Sequence, residues 1–157
     1  MTFDFRSQLS KGEAAERLLD EYFSDRYRIF PVDRAAQRSG RDRLFFERDS
    51  GERTFVEYKT DWRAQETGNV FVETVSVDTE NKAGWAHTCT ADLLFYYVPG
   101  RGYEVVYVIE PALLRAELER WSHLYPTRAV QNEGYKTHGL LVPLAEFERL
   151  AREVVSL

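Results

Sequence analysis

The spacing of apolar residues along the first half of the chain predicts one helix followed by several strands. Residues 10–25 repeat apolar side chains at i, i+3 and i+4, as an amphipathic helix does, and Ser10 and Glu13 form the S-x-x-E pattern of a capping box at its start. A short strand is predicted at 26–30. Two more strands flank a turn at Ser50-Gly51, and the β-branched run VFVETVSVD is a fourth.

The second half of the chain mixes further strands with helices. DLLFYYV and YEVVYVI are predicted to pair as a hairpin, and KAGWAHTCTA forms one or two helical turns. A loop is predicted before GLLVPL, which is a short strand. PALLRAELERWSHLY is a helix with Pro111 near its first turn, and LAEFERLAREVVSL closes the chain as an amphipathic helix. This order of elements predicts an α/β (α+β) fold with a mixed central sheet flanked by helices.

Composition limits the class of protein. At 157 residues the chain is expected to form a single domain, residues 1–157, and one cysteine excludes an internal disulfide framework. No signal-peptide pattern and no apolar run of membrane-spanning length is found, so we expect a cytoplasmic protein without a membrane partner. The formal net charge of −5 argues against bulk attraction to nucleic acid, but it allows a local basic groove or acids neutralised by a metal.

The strand that contains VEYKTD raises the main chemical question. Glu57 and Lys59 are two residues apart and therefore share one face of the strand. With a two-residue loop at Ser50-Gly51, Asp42 is expected opposite Lys59, on the same face as Glu57 and roughly 7 Å from it between Cα atoms. Two carboxylates at that separation can bind Mg²⁺, whereas a register slip of one residue would turn Asp42 away.

A third acid is expected from the first helix. At about 100° per residue, Glu16 lies beside Phe23 at the edge of the apolar stripe, whereas Glu13 faces solvent. Glu16 is thus the helical acid placed to reach the strand pair. An exposed carboxylate with only local pairing is the alternative for Glu16.

These residues resemble the PD-(D/E)xK nuclease superfamily, which includes archaeal Holliday-junction resolvases, restriction endonucleases and phage exonucleases. The resemblance covers about residues 10 to 98 and rests on KGEAAERLLDEYF, on Asp42 before a strand and on VEYK. QRSGRD, ETGNVFVE and KAGWAHTCTAD are similar to a phage-and-bacterial branch of the superfamily. Arg41 stands where the motif has proline.

The resemblance implies a restriction-endonuclease-like core and metal-assisted hydrolysis of phosphodiester bonds, in DNA more than in RNA. Asp42 and Glu57, with the main-chain carbonyl of Tyr58, would hold Mg²⁺ or Mn²⁺, which polarises the phosphate and lowers the pKa of a water. Lys59 would orient or deprotonate that water, and Glu16 would assist the ion. A homodimer is left open, since resolvases of similar pattern are dimers. The expected nucleic-acid contacts are Gln37, Arg38, Arg41, Arg43, Lys82 and Trp85.

Each assignment has a simpler alternative. Glu57 and Lys59 could be a solvated strand pair, and Trp85 could be a core residue. Glu73 is interpreted as an edge-strand solubility device rather than as a site residue. The competing functions are a catalytically inactive nucleic-acid-binding or assembly module on the same fold and a plain protein–protein interaction domain.

Overall fold

Residues 5–157, the part of the chain that the computed structural model describes, form two β-sheets joined by helices. The helices are α1 Phe5–Phe23, α2 Arg34–Arg38, α3 Ala64–Thr67, α4 Trp85–Thr88, α5 Pro111–Leu124 and α6 Leu144–Leu150, with a 3₁₀ turn at Asp78–Glu80. The strands are β1 Tyr27–Pro31, β2 Arg43–Glu47, β3 Arg53–Thr60, β4 Asn69–Val77, β5 Lys82–Ala83, β6 Leu93–Val98, β7 Val105–Ile109, β8 Thr127–Gln131, β9 Lys136–Pro143 and β10 Glu153–Ser156.

The larger sheet has six strands in the order β1-β2-β3-β6-β7-β10. Strands β3 and β6 are parallel and every other neighbouring pair is antiparallel, so the sheet is mixed. The smaller sheet is antiparallel, in the order β5-β4-β9-β8. The predicted class, α and β elements around a mixed sheet with flanking helices, is therefore confirmed.

Two apolar layers cover the two faces of the larger sheet. On one face, Ala15, Leu19 and Phe23 of α1 pack on aromatic residues such as Phe45 and Phe95. On the other face, the smaller sheet and α4 to α6 bury a second core that includes Tyr96, Trp121 and Phe147. Strands β6 and β7 are continuous apolar runs because both of their faces are covered.

The register of the β2–β3 hairpin differs from the predicted one by two residues. Arg43 pairs with Val56 and Leu44 with Phe55, because the connection is longer than a two-residue loop. The Glu47 N–H donates to the Glu52 carbonyl at 2.9 Å, and the Gly51 N–H donates to the Glu47 carbonyl at 2.7 Å. A shift of two residues leaves every side chain on its predicted face.

Three other predictions about the elements are wrong. Ser10 cannot cap the first helix, because α1 already begins at Phe5. The segment Thr127–Gln131, expected in a loop, forms edge strand β8. The last predicted helix stops at Leu150, and the β-branched Val154 and Val155 then pair with β7 as strand β10. None of the helices in the described range is long and apolar enough to cross a membrane.

Two neighbouring leucines test how α1 is rotated on the sheet, which determines where Glu16 lies. Leu19 is fully buried and Leu18 is 41% exposed. Leu19→Ala should lower the free energy of unfolding by about 2–5 kcal/mol, because it leaves a cavity under the helix, and Leu18→Ala by less than about 1 kcal/mol. Urea unfolding measures both. Equal losses would contradict this rotation of α1.

Candidate active site

Asp42 is held at the start of β2 by a close contact between two loops. Gly40 has a φ of +80°, and a Cβ at this position would lie 2.8 Å from the Cα of Cys89. The Ser39 carbonyl accepts hydrogen bonds from the Thr90 N–H at 3.0 Å and from the Thr90 hydroxyl at 2.6 Å. The chain therefore enters β2 along a fixed path against the end of α4.

The Asp42 carboxylate bonds to the neighbouring strand. The Asp42 N–H donates to the Val56 carbonyl at 2.8 Å, and the Tyr58 N–H donates to Asp42 Oδ2 at 2.8 Å. This side-chain acceptor extends the pairing with β3 by one residue before the start of β2. Because the N–H and C=O of one strand residue point to the same side, the Tyr58 carbonyl is directed towards Asp42 as well.

Glu57 is the one carboxylate of the described side chains that is buried, with 4% of its surface exposed. Its Oε1 accepts from the Lys59 ammonium at 2.8 Å, whereas its buried Oε2 has no hydrogen-bond partner among the described residues. Burial raises the pKa of Glu57 to about 7, with Lys59 opposing the rise and the Asp42 charge adding to it. A carboxylate oxygen in this condition is a ready ligand for a cation.

Lys59 is a partly exposed cation among three acids. Burial acts to lower its pKa, but Glu57, Asp42 and Glu73 together raise the pKa of Lys59 above its ordinary value. The ammonium is therefore charged near neutral pH. Lys59 can donate hydrogen bonds and offset negative charge, but it is a poor base in this state.

Glu16 lies near these acids but is paired with Arg43. The Arg43 guanidinium contacts Glu16 at 3.2 Å and Asp20 at 3.1 Å, and it lies over the Tyr58 ring at 5.4 Å. Burial and the charge of Asp42 raise the pKa of Glu16, and Arg43 opposes the rise. The helical acid is thus close enough to interact with Asp42, although α1 packs on the Tyr58 face of β3 and not on the Glu57 face.

A cleft of roughly 510 Å³ opens beside Lys59 on the face of the smaller sheet. Glu73 lines this cleft, and its Oε1 accepts from the Trp85 N–H at 3.3 Å. Gly84 makes this approach possible, because a Cβ there would meet the Glu73 carbonyl oxygen at 2.4 Å. The other lining residues are Lys11, Thr60, Asp61, Trp62, Arg63, Phe71, Trp85 and Tyr96.

This cleft corrects the interpretation of Glu73. Strand β4 lies between β5 and β9, so Glu73 is not on an edge strand, and its half-buried side chain faces Lys59. Lys11, Trp62 and Arg63 were also missed. The exposed tryptophan in the polar segment TDWRA, directly after the Lys59 strand, was the available signal for this part of the cleft.

The predicted nucleic-acid contacts lie on several different elements. Gln37 and Arg38 are exposed on α2, and Lys82 is exposed on β5. The Arg41 guanidinium lies 4.5 Å from the centre of the Phe55 ring. Arg43 is only 14% exposed and is engaged by two carboxylates, so its guanidinium is not presented to solvent. Trp85 lines the cleft while packing on Tyr96 in the second core.

The residues brought together on one face are therefore Asp42, Glu57 and Lys59, with Glu73 beyond them. Within the described part of the chain, no group of three or more His, Cys, Asp or Glu side chains is arranged as a metal site, so the candidate is a two-carboxylate centre. No protein-family model, curated protein or solved structure matches the chain.

The raised pKa of Glu57 predicts how metal-free stability depends on pH. In EDTA, the buried Glu57 is protonated in the folded state below about pH 7, whereas in the unfolded state it is protonated only below its ordinary pKa of 4.5. The free energy of unfolding therefore falls as the pH rises between these two values. Relative to wild type, Glu57→Gln should therefore gain about 2–3 kcal/mol of unfolding free energy between pH 4.5 and pH 8.

Denaturant unfolding at a series of pH values measures this difference. The matched control is Glu13→Gln, which removes the charge of an exposed glutamate on α1. Its stability curve should run parallel to that of wild type. A parallel curve for Glu57→Gln as well would contradict the raised pKa of Glu57.

Proposed function

We propose that this chain is a divalent-metal-dependent nuclease that hydrolyses phosphodiester bonds in DNA, on a restriction-endonuclease-like core. The observation that carries the proposal is the buried Glu57 Oε2, which has no hydrogen-bond partner in the part of the chain that the structure describes. Asp42 is the neighbouring acid that helps to raise the pKa of Glu57. An ionised carboxylate left in this condition destabilises the fold, and a bound cation would remove the cost.

Three oxygen donors fit a hard cation at this place. Asp42 and Glu57 supply carboxylates, and the Tyr58 carbonyl points to the same side of β3 as the N–H that binds Asp42. Oxygen donors of this kind suit Mg²⁺ or Mn²⁺. When bound, such an ion supplies Lewis-acid chemistry by drawing charge from a phosphate oxygen.

Lys59 supplies the positive charge that the protein itself brings to the reaction. Since its ammonium is charged, it is suited to orient a water by donating a hydrogen bond and to stabilise negative charge that develops on the phosphate. The surrounding acids disfavour loss of its proton. Of the two roles expected for Lys59, orientation of the nucleophile is therefore the better supported.

Glu16 has an indirect role in this proposal. Its carboxylate is bound by Arg43, and Arg43 is fixed by Asp20 and by the Tyr58 ring. Glu16 therefore adds negative potential near Asp42, and it can reach an ion only through an intervening water.

A non-catalytic nucleic-acid-binding module on the same fold is the second candidate. The observation that favours it is that Lys59 neutralises Glu57 and Arg43 neutralises Glu16, so part of the acidic set is balanced without a metal. This candidate predicts binding of DNA without metal-dependent turnover.

A matched pair of aspartates tests the nuclease proposal. Asp42 and Asp92 each accept a backbone N–H of β3 at 2.8 Å, from Tyr58 and Phe55 respectively, and asparagine keeps an acceptor oxygen at both positions. Asp42→Asn should lower Mg²⁺-dependent cleavage of labelled DNA more than about 100-fold, since even outer-shell partners of a metal are worth 10- to 100-fold. Asp92→Asn should cleave as wild type does. Cleavage that survives Asp42→Asn would refute the site.

The same variants test metal binding without relying on turnover. Mn²⁺ at about 100 times its dissociation constant should stabilise wild type and Asp92→Asn by about 3 kcal/mol, which raises the melting temperature by several degrees. Asp42→Asn should melt at the same temperature with and without Mn²⁺. If Mn²⁺ leaves the melting temperature of wild type unchanged, the non-catalytic module becomes the preferred function.

A further inference from the structure

Trp62 is an exposed aromatic residue at the cleft beside Lys59. Its surface is 47% exposed, although burial of an indole ring is strongly favourable. The other two tryptophans are packed in the core: Trp121 is fully buried, and Trp85 packs on Tyr96. The position of Trp62 is therefore not explained by the packing of either core.

The backbone around Trp62 is fixed by the preceding aspartate. Asp61 Oδ2 accepts from the Tyr96 hydroxyl at 2.8 Å and from the Phe71 N–H at 3.0 Å, and Asp61 Oδ1 accepts from the Arg63 N–H at 3.0 Å. The Asp61 N–H in turn donates to the Tyr97 carbonyl at 2.9 Å. The exposed ring is thus carried by a well-anchored segment that joins β3 to α3.

The charges of the cleft suit a nucleic-acid strand. Lys11, Lys59 and Arg63 line it, against the carboxylates of Asp61 and Glu73. Both acids are engaged by protein donors, Asp61 by three and Glu73 by the Trp85 N–H. The Lys59 ammonium is paired with Glu57, so Lys11 and Arg63 are the cations of the cleft that remain for a phosphate backbone. Cations that track a phosphate backbone beside an exposed aromatic ring are the features by which proteins bind single strands.

We infer that Trp62 stacks on an unpaired base next to the phosphate that is cleaved, so that the substrate is a single strand or a duplex with unpaired nucleotides at the cutting point. This inference rests on the proposed nuclease function. Trp62 follows Lys59 by three residues, so the Cα atoms of the two residues lie within about 10 Å of each other. In a regular duplex the faces of each base are covered by its neighbours, so a protein ring can stack only on a base that has left the stack.

Binding measured with Ca²⁺ in place of Mg²⁺ and monitored by tryptophan fluorescence tests this inference. In a Trp85→Phe background, Trp62 is the exposed fluorophore and Trp121 is a buried constant. A single-stranded oligonucleotide should quench the fluorescence. A duplex dumbbell that is closed at both ends by abasic linkers has no unpaired base and should quench little. Trp62→Ala, in the otherwise unchanged protein and monitored by anisotropy of a labelled strand, should weaken single-strand binding about 5- to 100-fold.

Two further variants separate stacking from general effects. Trp62→Leu keeps an apolar side chain without an aromatic face and should lose about as much affinity as Trp62→Ala. Phe30→Ala removes another aromatic residue that is 47% exposed, on β1 and outside the cleft, and should bind as wild type does. Unchanged single-strand affinity in Trp62→Ala, or equal quenching by the closed dumbbell, would overturn the inference.

The outcome also separates this inference from the proposed function. If Mg²⁺-dependent cleavage depends on Asp42 while Trp62→Ala binds and cuts single strands normally, the inference fails alone. If wild type shows neither metal-dependent cleavage nor binding of any nucleic acid, the proposed function fails and the inference fails with it.

Discussion

The burial of the Glu57 carboxylate is the constraint on which the candidate site depends. Strand β3 has neighbours on both sides, so this acid cannot turn to solvent without breaking strand pairs. One of its oxygens is satisfied by Lys59 and the other by nothing in the described part of the chain. Natural proteins rarely keep such a group inside, because it costs stability, and functional sites are the usual exceptions.

The two faces of β3 divide structural and chemical roles between alternate residues. Val56 and Tyr58 belong to the core under α1, whereas Glu57 and Lys59 point to the opposite face, where Lys59 lines the cleft. The position of Asp42 follows from the same division, since its carboxylate accepts the Tyr58 N–H directly before β2 begins. The aromatic packing of Tyr58 on Phe45 and Phe95 therefore anchors the strand to which Asp42 is hydrogen-bonded.

The sequence predicted the face of each site residue better than it predicted their exact neighbours. Because side chains alternate between the two faces of a strand, any register shift by an even number of residues keeps Asp42, Glu57 and Lys59 on one face. The longer turn before Glu52 shifts the register by two residues and therefore does not change this prediction. The rotation of α1 was predicted less well, because apolar spacing included Leu18 and Tyr22, which are exposed. The structure centres the buried stripe on Leu19 and moves Glu16 further towards the sheet.

Features that depend on long-range pairing were not predictable from local patterns. Glu73 was assigned to an edge strand because nothing in the sequence of β4 reveals that β9, far along the chain, pairs with it. Strand β10 was assigned to a helix for a similar reason: the apolar spacing of α6 continues past Leu150, and only the free edge of β7 selects the extended form. Trp62 was passed over because its significance arises from the cleft and not from the segment around it.

The parallel pairing of β3 with β6 has a consequence for how the molecule is assembled. The contact between Phe55 and Asp92 closes a loop of 37 residues, and that loop carries β4, β5 and α4. Non-local closures of this kind are slow, because chain entropy is lost before the contacts that compensate for it are made. The environment that buries Glu57 therefore requires the pairing of β3 with β6. A nascent or partly proteolysed chain that lacks this pairing would carry Asp42 and Glu57 without the enclosure that raises the pKa of Glu57.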